Sequence, residues 1–518
     1  MRSFVVLPFL LLAVSVMSGQ DFDTVIHGGR IIDGTGAPAR HADIGIKDGR
    51  VTKIGRTGTN AVELIDATGY VVTPGFIDVH THAENVLELP SARNFARMGV
   101  TTLVLGNCGS SAFEVGKFFE QVESTNTAVN IATLIGHGTV RSQIMGGSFM
   151  RPPNSFELKL MKEAVQKAMK DGALGMSTGL IYLPGTFAKT DELIALAKVV
   201  SDYAGIYTSH MRSEGDDIFE ALDEVFAIAR EANLPAHISH IKVGGQKNWH
   251  KADDVLAAIE CARDEGLDIT QDQYAYTASS TSIGSLIPER ALAGGKFNEH
   301  MNDPEFKAGV VEKMKKRAAE RGTDFAYAVI ASYDAMPELN GLTVAQASRR
   351  LYESDSIDSQ IEMILEIQLN GGASGVFHSM NEDDVRVFMQ HPNTMIASDS
   401  SVRAWQSGIP HPRGYGNNAR VLRKYVYEDK ILRLENAIQK MTSLPATTFG
   451  IRDRGEIHEG VWADLVIFKP AEVTDIATYE NPHQHATGFK LVMVNGVPVT
   501  VNDEPTNKKP GQVIRRHK

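Results

Sequence analysis

Short apolar runs that end in polar residues alternate, through most of the chain, with longer stretches whose apolar positions recur at helical spacing. The first kind reads as buried strand and the second as amphipathic helix. Strands are expected at 71–80, 101–106, 131–136, 174–177, 206–210, 236–240, 268–272, 375–378 and 395–399. Helices fall between them, as in SFELKLMKEAVQKAMKDG and DDIFEALDEVFAIAREANLP. Residues 156–170 of the first carry a core-facing apolar stripe, and the second ends on the stop signals Asn233 and Pro235. Such alternation predicts an α/β fold, a parallel sheet with helices outside, and about eight units point to a (β/α)8 TIM-like barrel. Nine candidates for eight places leave at least one strand misassigned or outside the barrel. An open doubly wound sheet would want a glycine-rich phosphate turn after an early strand, and LGNCGSS lacks that spacing.

Both ends of the chain differ in texture. Residues 23–70 alternate β-type runs with turns, including a Lys-Asp-Gly-Arg hairpin, and the same texture returns in GVWADLVIFKP and KLVMVNGVPV. The expected organisation is a leader at 1–20, a small β domain built from 21–70 and 451–518, and a barrel over 71–450. The charged, helical stretch at about 286–355 breaks the rhythm and reads as an insertion, a candidate lid. The leader MRSFVVLPFLLLAVSVMSGQ has one Arg, an apolar run too short to span a bilayer, and small residues at Ser18 and Gly19, so an exported protein, periplasmic or secreted and free of the membrane after cleavage, is expected.

Composition changes this picture little. The chain has 518 residues, ordinary globular composition and a net charge of -11, with no basic stripe for nucleic acid. Its basic tail, NKKPGQVIRRHK, reads as a solvated end. Of the two cysteines, Cys261 lies in VLAAIECARDEG and reads as a core thiol. A Cys108–Cys261 disulfide is the bland alternative.

Reactive residues collect where the strands end. In GFIDVHTHAE, strand alternation would bring Asp78, His80 and His82 to one surface. Other candidate strands end in LVLGNCG, IYTSHMR, PAHISHIK and MIASDSS, which puts His80, His82, Cys108, His210, His240 and Asp399 on one rim. Imidazole and thiolate donors converging there suit zinc and argue against magnesium or calcium. Asp399 is placed to pass a proton between water and a leaving nitrogen; capping a helix before SVRAW is its alternative role.

These motifs resemble the amidohydrolase superfamily. GVTTLVLGNCGSS, GALGMSTGLIYLPG, TSHMRSE, ISHIK, HPRGYG and NPHQHATG look most like the N-acyl-D-amino-acid deacylases (D-aminoacylases), over residues 23 to about 500. The resemblance implies a (β/α)8 barrel beside a small β-barrel from both termini, with an inserted segment. It implies zinc-dependent hydrolysis of N-acyl-D-amino acids to a carboxylate and a free D-amino acid. A tightly held zinc would be bound by Cys108, His210 and His240. His80 and His82 would form a weaker second site sharing Cys108, and Asp399 would be the general acid/base. Tyr182, Lys242, Tyr276 and Arg413 would hold the substrate carboxylate, with Tyr274 easily confused with Tyr276 and a surface ion pair the alternative for Arg413. GALGMSTG contains no lysine, which argues against the dihydroorotase and hydantoinase branches. The pair after H-T-H is Ala83-Glu84, where the family often has two acids. The expected partner is a small N-acylated amino acid or short peptide. The alternatives are a dipeptidase acting on a C-terminal D-residue, a cyclic-amide hydrolase, and a non-enzymatic metal-containing binding protein.

Overall fold

The computed structural model describes residues 20–516, so the expected leader, apart from Gln20, lies outside the described residues. Among the described residues no helix is long and apolar enough to cross a membrane. Parallel strands run, neighbour to neighbour, through Phe76–Asp78, Val100–Leu105, Asn130–Thr133 with Ile135–Gly136, Gly175–Gly179, Ile206–His210, Ala236–Ile238, Ile269–Gln273 and Thr394–Ile396. Helices such as Val115–Thr125, Thr190–Ser201 and Ile218–Ala232 lie between them in sequence. The last strand meets the first: Thr81 bridges Ser400 in parallel, and Asp399 N donates to His80 O at 2.9 Å. Eight of the nine expected strands are therefore in this parallel set.

The ninth, 375–378, is not. Ser374–Phe377 is the middle strand of an antiparallel sheet with Ser279–Ser282 and Ala328–Ser332. That sheet and the helices around it bury an apolar core of their own, from Ile283 to Phe377. The insertion is thus wider than 286–355, because a short apolar run looks the same in a parallel barrel and in a small antiparallel sheet.

The expected strand 71–80 is two strands in different sheets. Val71–Pro74 pairs antiparallel with Leu465–Phe468 in a seven-stranded sheet that joins the two ends of the chain. After Gly75 the chain enters the parallel set at Phe76. A Cβ at Gly75 would sit 2.2 Å from Thr101 Oγ1 and 2.8 Å from Thr101 Cβ, so only glycine leaves room there for the Thr101 side chain. A four-stranded sheet, Arg50–Gly55, Asp43–Lys47, Phe22–His27 and Ala61–Asp66, contributes to a second apolar core with Ile44, Val72, Leu465 and Ile467.

Two further expectations fail. Cys261 is exposed, not a core thiol: the buried stripe of helix Ala252–Asp264 is Ala252, Val255, Leu256, Ile259 and Ala262, which passes it by. The two cysteines are unpaired. The basic tail is not a solvated end either. Ile131 N donates to Gln512 O, Ile514 N to Ile131 O and Arg516 N to Gly172 O, so its backbone groups pair with the parallel strand at 131 and the loop at 172. Charge pattern says nothing about such backbone pairing.

One buried cation has a consequence for stability. Lys440 is 3% exposed on helix Leu434–Met441 and donates to the carbonyls of His391 and Thr394. Burial pushes its pKa from 10.5 down to about 7. The unfolded chain then holds more protons than the folded chain between these values, so stability rises with pH there. The penalty is fully present below pH 7 and amounts to on the order of 5 kcal/mol. Denaturant unfolding of wild type and Lys440→Met at pH 7 and pH 10 is expected to show this rise in wild type only; an equal rise in both would refute it.

Candidate metal centre

Each candidate ligand sits at or just beyond the C-terminal end of a parallel strand. His80 follows Phe76–Asp78, His210 ends Ile206–His210, and His240 follows Ala236–Ile238. Cys108 lies in the loop after Val100–Leu105, and Asp399 lies beyond Thr394–Ile396. Cys108, His240 and Asp399 have φ of 51°, 37° and 50°, the left-handed region that side-chain-bearing residues rarely occupy. Their surroundings hold this strain. A Cβ on Gly179 would lie 2.1 Å from the Cys108 carbonyl oxygen, so strand Gly175–Gly179 must carry glycine there for the Cys108 loop to pack against it.

Cys108 Sγ lies 3.7 Å from His210 Nδ1, 3.6 Å from His240 Nε2 and 3.3 Å from His80 Nε2. Zinc bonded to sulfur at ~2.3 Å and to nitrogen at ~2.0–2.1 Å in a tetrahedron separates those atoms by about 3.6 Å. The Cys108–His210–His240 trio fits that requirement. A second donor group, His80, His82 and Cys108, shares the sulfur, and a third combines His80, His240 and Asp399. Burial would push the Cys108 thiol up, but the charge of His80 and the hydrogen bonds of His210 and His240 hold it well below its usual range.

Asp399 uses its two oxygens differently. Oδ1 faces His82 Nε2 at 3.2 Å and His80 Nε2 at 3.5 Å; Oδ2 pairs with Arg413 Nη1 at 2.8 Å. Burial opposes its ionisation, yet Arg413 and His80 keep its pKa well below the usual carboxylate value. No helix starts at Asp399, so it is not a cap.

A cavity of about 1060 Å³ opens over these groups, with Cys108, His240 and Asp399 on one side and Leu286 and Phe325 of the insertion on the other. Tyr182 and Lys242 line it as expected. The Tyr182 hydroxyl accepts from Thr281 Oγ1 at 3.1 Å, and its ring stands edge-on to His210. Tyr276 does not reach the cavity wall. It is buried against His411 and Tyr479, with the Arg420 guanidinium over its ring. The strand ends at Gln273, so alternation no longer governs residues 274 and 276. Arg413 is also buried, behind Asp399 and over the Tyr274 ring, and is neither a surface pair nor part of the wall.

Three carboxylates complete the site. Asp78 does not converge with the histidines: its carboxylate accepts from His80 N and Ser398 N and ties the first strand to the last. Burial pushes it up to about 7. Asp272, at the end of its strand, accepts from His80 Nδ1 at 3.1 Å, His237 Nε2 at 2.9 Å and His240 N at 3.0 Å. Glu214 lies 2.8 Å from His240 Nδ1 and 2.5 Å from Lys242 Nζ. The sequence alone points to a role for neither Asp272 nor Glu214. Position at a strand end was an available signal for Asp272.

The amidohydrolase family profile matches residues 63–500. D-aminoacylase of Alcaligenes xylosoxydans xylosoxydans is 34% identical, over 97% of this chain and 99% of its own. The crystal structure of N-acyl-D-glutamate deacylase from Bordetella bronchiseptica, complexed with zinc and a phosphonate mimic of the tetrahedral intermediate, superposes with a TM-score of 0.82 at 34% identity, covering 96% of this chain and 100% of that one. A D-aminoacylase structure described for its binuclear metal centre, with one-metal activation and second-metal attenuation, also has a TM-score of 0.82, at 31% identity and over 96% of this chain and all of that one. The chain belongs to the amidohydrolase family, among its D-aminoacylases and N-acyl-D-amino-acid deacylases.

Proposed function

We propose that this chain hydrolyses the amide of N-acyl-D-amino acids, with zinc held by Cys108, His210 and His240. The observation that carries the proposal is the sulfur–nitrogen spacing of 3.6–3.7 Å in this trio, beside an ionised carboxylate that faces the same cavity. His80 and His82 with Cys108 form a weaker second site, and the bridge between Thr81 and Ser400 supports a closed (β/α)8 barrel as its frame. Zinc, when bound, supplies Lewis acidity that makes water a better nucleophile and polarises the amide carbonyl.

The chain's own residues do the rest. Asp399 takes the proton of the attacking water on Oδ1, the oxygen that Arg413 leaves free, and returns it to the leaving nitrogen. Lys242 is the cation of the cavity wall closest to the ligands and anchors the substrate carboxylate with the Tyr182 hydroxyl. Insertion residues such as Leu286 and Phe325 close the far wall and limit access of bulk water. Export, read from residues 1–20, belongs to the same proposal, and N-terminal sequencing of the secreted chain tests it.

The test is metal analysis of the purified chain together with hydrolysis of N-acetyl-D- and N-acetyl-L-amino acids on the same sample. About one zinc per chain and turnover of the D-forms alone are expected. Zinc without turnover of either hand would discard this substrate class and turn attention to dipeptides and cyclic amides.

A further inference from the structure

Glu214 sits four residues beyond His210, in the loop that leaves its strand, and its two oxygens face one ring nitrogen of each of two proposed zinc ligands. Oε1 lies 2.8 Å from His240 Nδ1 and Oε2 3.8 Å from His210 Nε2. Each ring turns its other nitrogen to Cys108 Sγ, at 3.6 Å for His240 and 3.7 Å for His210. His210 Nε2 is buried and makes no hydrogen bond; the second Glu214 oxygen faces it at 3.8 Å, within ion-pair range but beyond hydrogen-bond reach. We propose that Glu214 is the positioning residue of the tight zinc site, one carboxylate that fixes His240 by a direct hydrogen bond and biases His210 by its charge at longer range, with Lys242 as its counter-ion. The inference rests on the metal reading above.

The argument is one of hydrogen-bond direction. A carboxylate only accepts, so a ring nitrogen facing it carries the proton, and the lone pair is left on the nitrogen facing the sulfur. A metal needs that lone pair. Lys242 pulls the other way. Its Nζ is 2.9 Å from the same His240 Nδ1, and an ammonium only donates. Were Lys242 to donate there, the proton would sit on Nε2 and the ring would present N–H to Cys108. Glu214 Oε1, 2.5 Å from Nζ, takes up that donor instead. The loops carrying the two residues are tied together by Gly244 N donating to Glu214 O at 2.7 Å. Glu214 therefore favours metal binding and Lys242 opposes it, although the two form one ion pair.

The opposite signs make the test. Zinc affinity would be measured by chelator competition on the full chain for wild type, Glu214→Gln, Glu214→Asp, Lys242→Met and Cys108→Ser, with circular dichroism and thermal unfolding of each metal-free form. A glutamine has no charge to hold the Lys242 ammonium away from His240, and its amide nitrogen can only donate towards the other ring, so Glu214→Gln is expected to weaken zinc binding about 10–100-fold. Glu214→Asp, which keeps the carboxylate, is expected to fall between it and wild type even if the glutamine form folds poorly. Lys242→Met is expected to bind zinc at least as tightly as wild type while KM rises. Wild-type affinity in Glu214→Gln, or equal weakening in Glu214→Gln and Lys242→Met, would overturn the proposal. Zinc binding that Cys108→Ser leaves intact would instead overturn the metal reading itself.

Discussion

Replacing Cys108 with serine is expected to strip the tight zinc from the chain and to lower kcat/KM about a thousandfold. Its sulfur is the hub of the cluster, with three imidazole nitrogens at 3.3–3.7 Å. Those rings already favour the thiolate despite full burial, so the site is built around an anion. A serine hydroxyl is harder, stays protonated and has a shorter bond, so it neither supplies that charge nor reaches the same point. Lewis-acid stabilisation is worth several kcal/mol, and at 1.36 kcal/mol per tenfold about 4 kcal/mol corresponds to the expected loss. The check is zinc content and kcat/KM on one preparation, with unfolding followed with and without added zinc. Zinc should raise the Tm of wild type and not of Cys108→Ser, because only a ligand bound by the folded state stabilises it. Full zinc content and activity in the serine form would mean that the sulfur is not a ligand.

The candidate site was legible because the fold turns a sequence rhythm into a place. Residues at the ends of successive parallel strands must share a rim, so His80, Cys108, His210, His240 and Asp399 could be grouped although they are far apart in the chain. The structure brings these atoms within 4.8 Å of one another in overlapping trios. What was not legible depends on where the chain goes after a strand stops. Glu214 reaches two histidines only through the path of its loop. Tyr276 follows the end of its strand at Gln273, where period-two alternation has lapsed, and it turns towards Arg420 instead of the cavity. The family resemblance pairs Arg413 with substrate, whereas its partner in the structure, Asp399, is 14 positions away and paired only through tertiary packing. The left-handed backbone of Cys108, His240 and Asp399 is likewise imposed by neighbours such as the Gly179 strand, and no local residue type announces it. For the same reason the strand at 374–377 was misplaced, since pairing partners, not the run itself, decide which sheet it joins.

Replacing Asp399 with asparagine is expected to lower kcat by about 10²–10⁴ while the zinc bound by Cys108, His210 and His240 is retained. The amide keeps the shape but cannot take a proton from water at Oδ1, so the loss falls on chemistry and not on metal loading. The companion variant Arg413→Met separates the proton role from a structural one. In wild type, burial pushes the Asp399 carboxyl up, and the Arg413 guanidinium together with His80 pulls it well below its ordinary value. The base form therefore persists into acid, and the acid limb of the kcat/KM profile should lie low. Removing the guanidinium leaves burial less opposed, the pKa rises, and the acid limb must move to higher pH while zinc content stays as in wild type. A profile that Arg413→Met leaves in place would mean that Asp399 is not the titrating base. Unchanged kcat in Asp399→Asn would assign the proton to another group. The shift and the loss have to occur together, because both follow from a single carboxylate with one oxygen held by Arg413 and the other turned to the metal ligands.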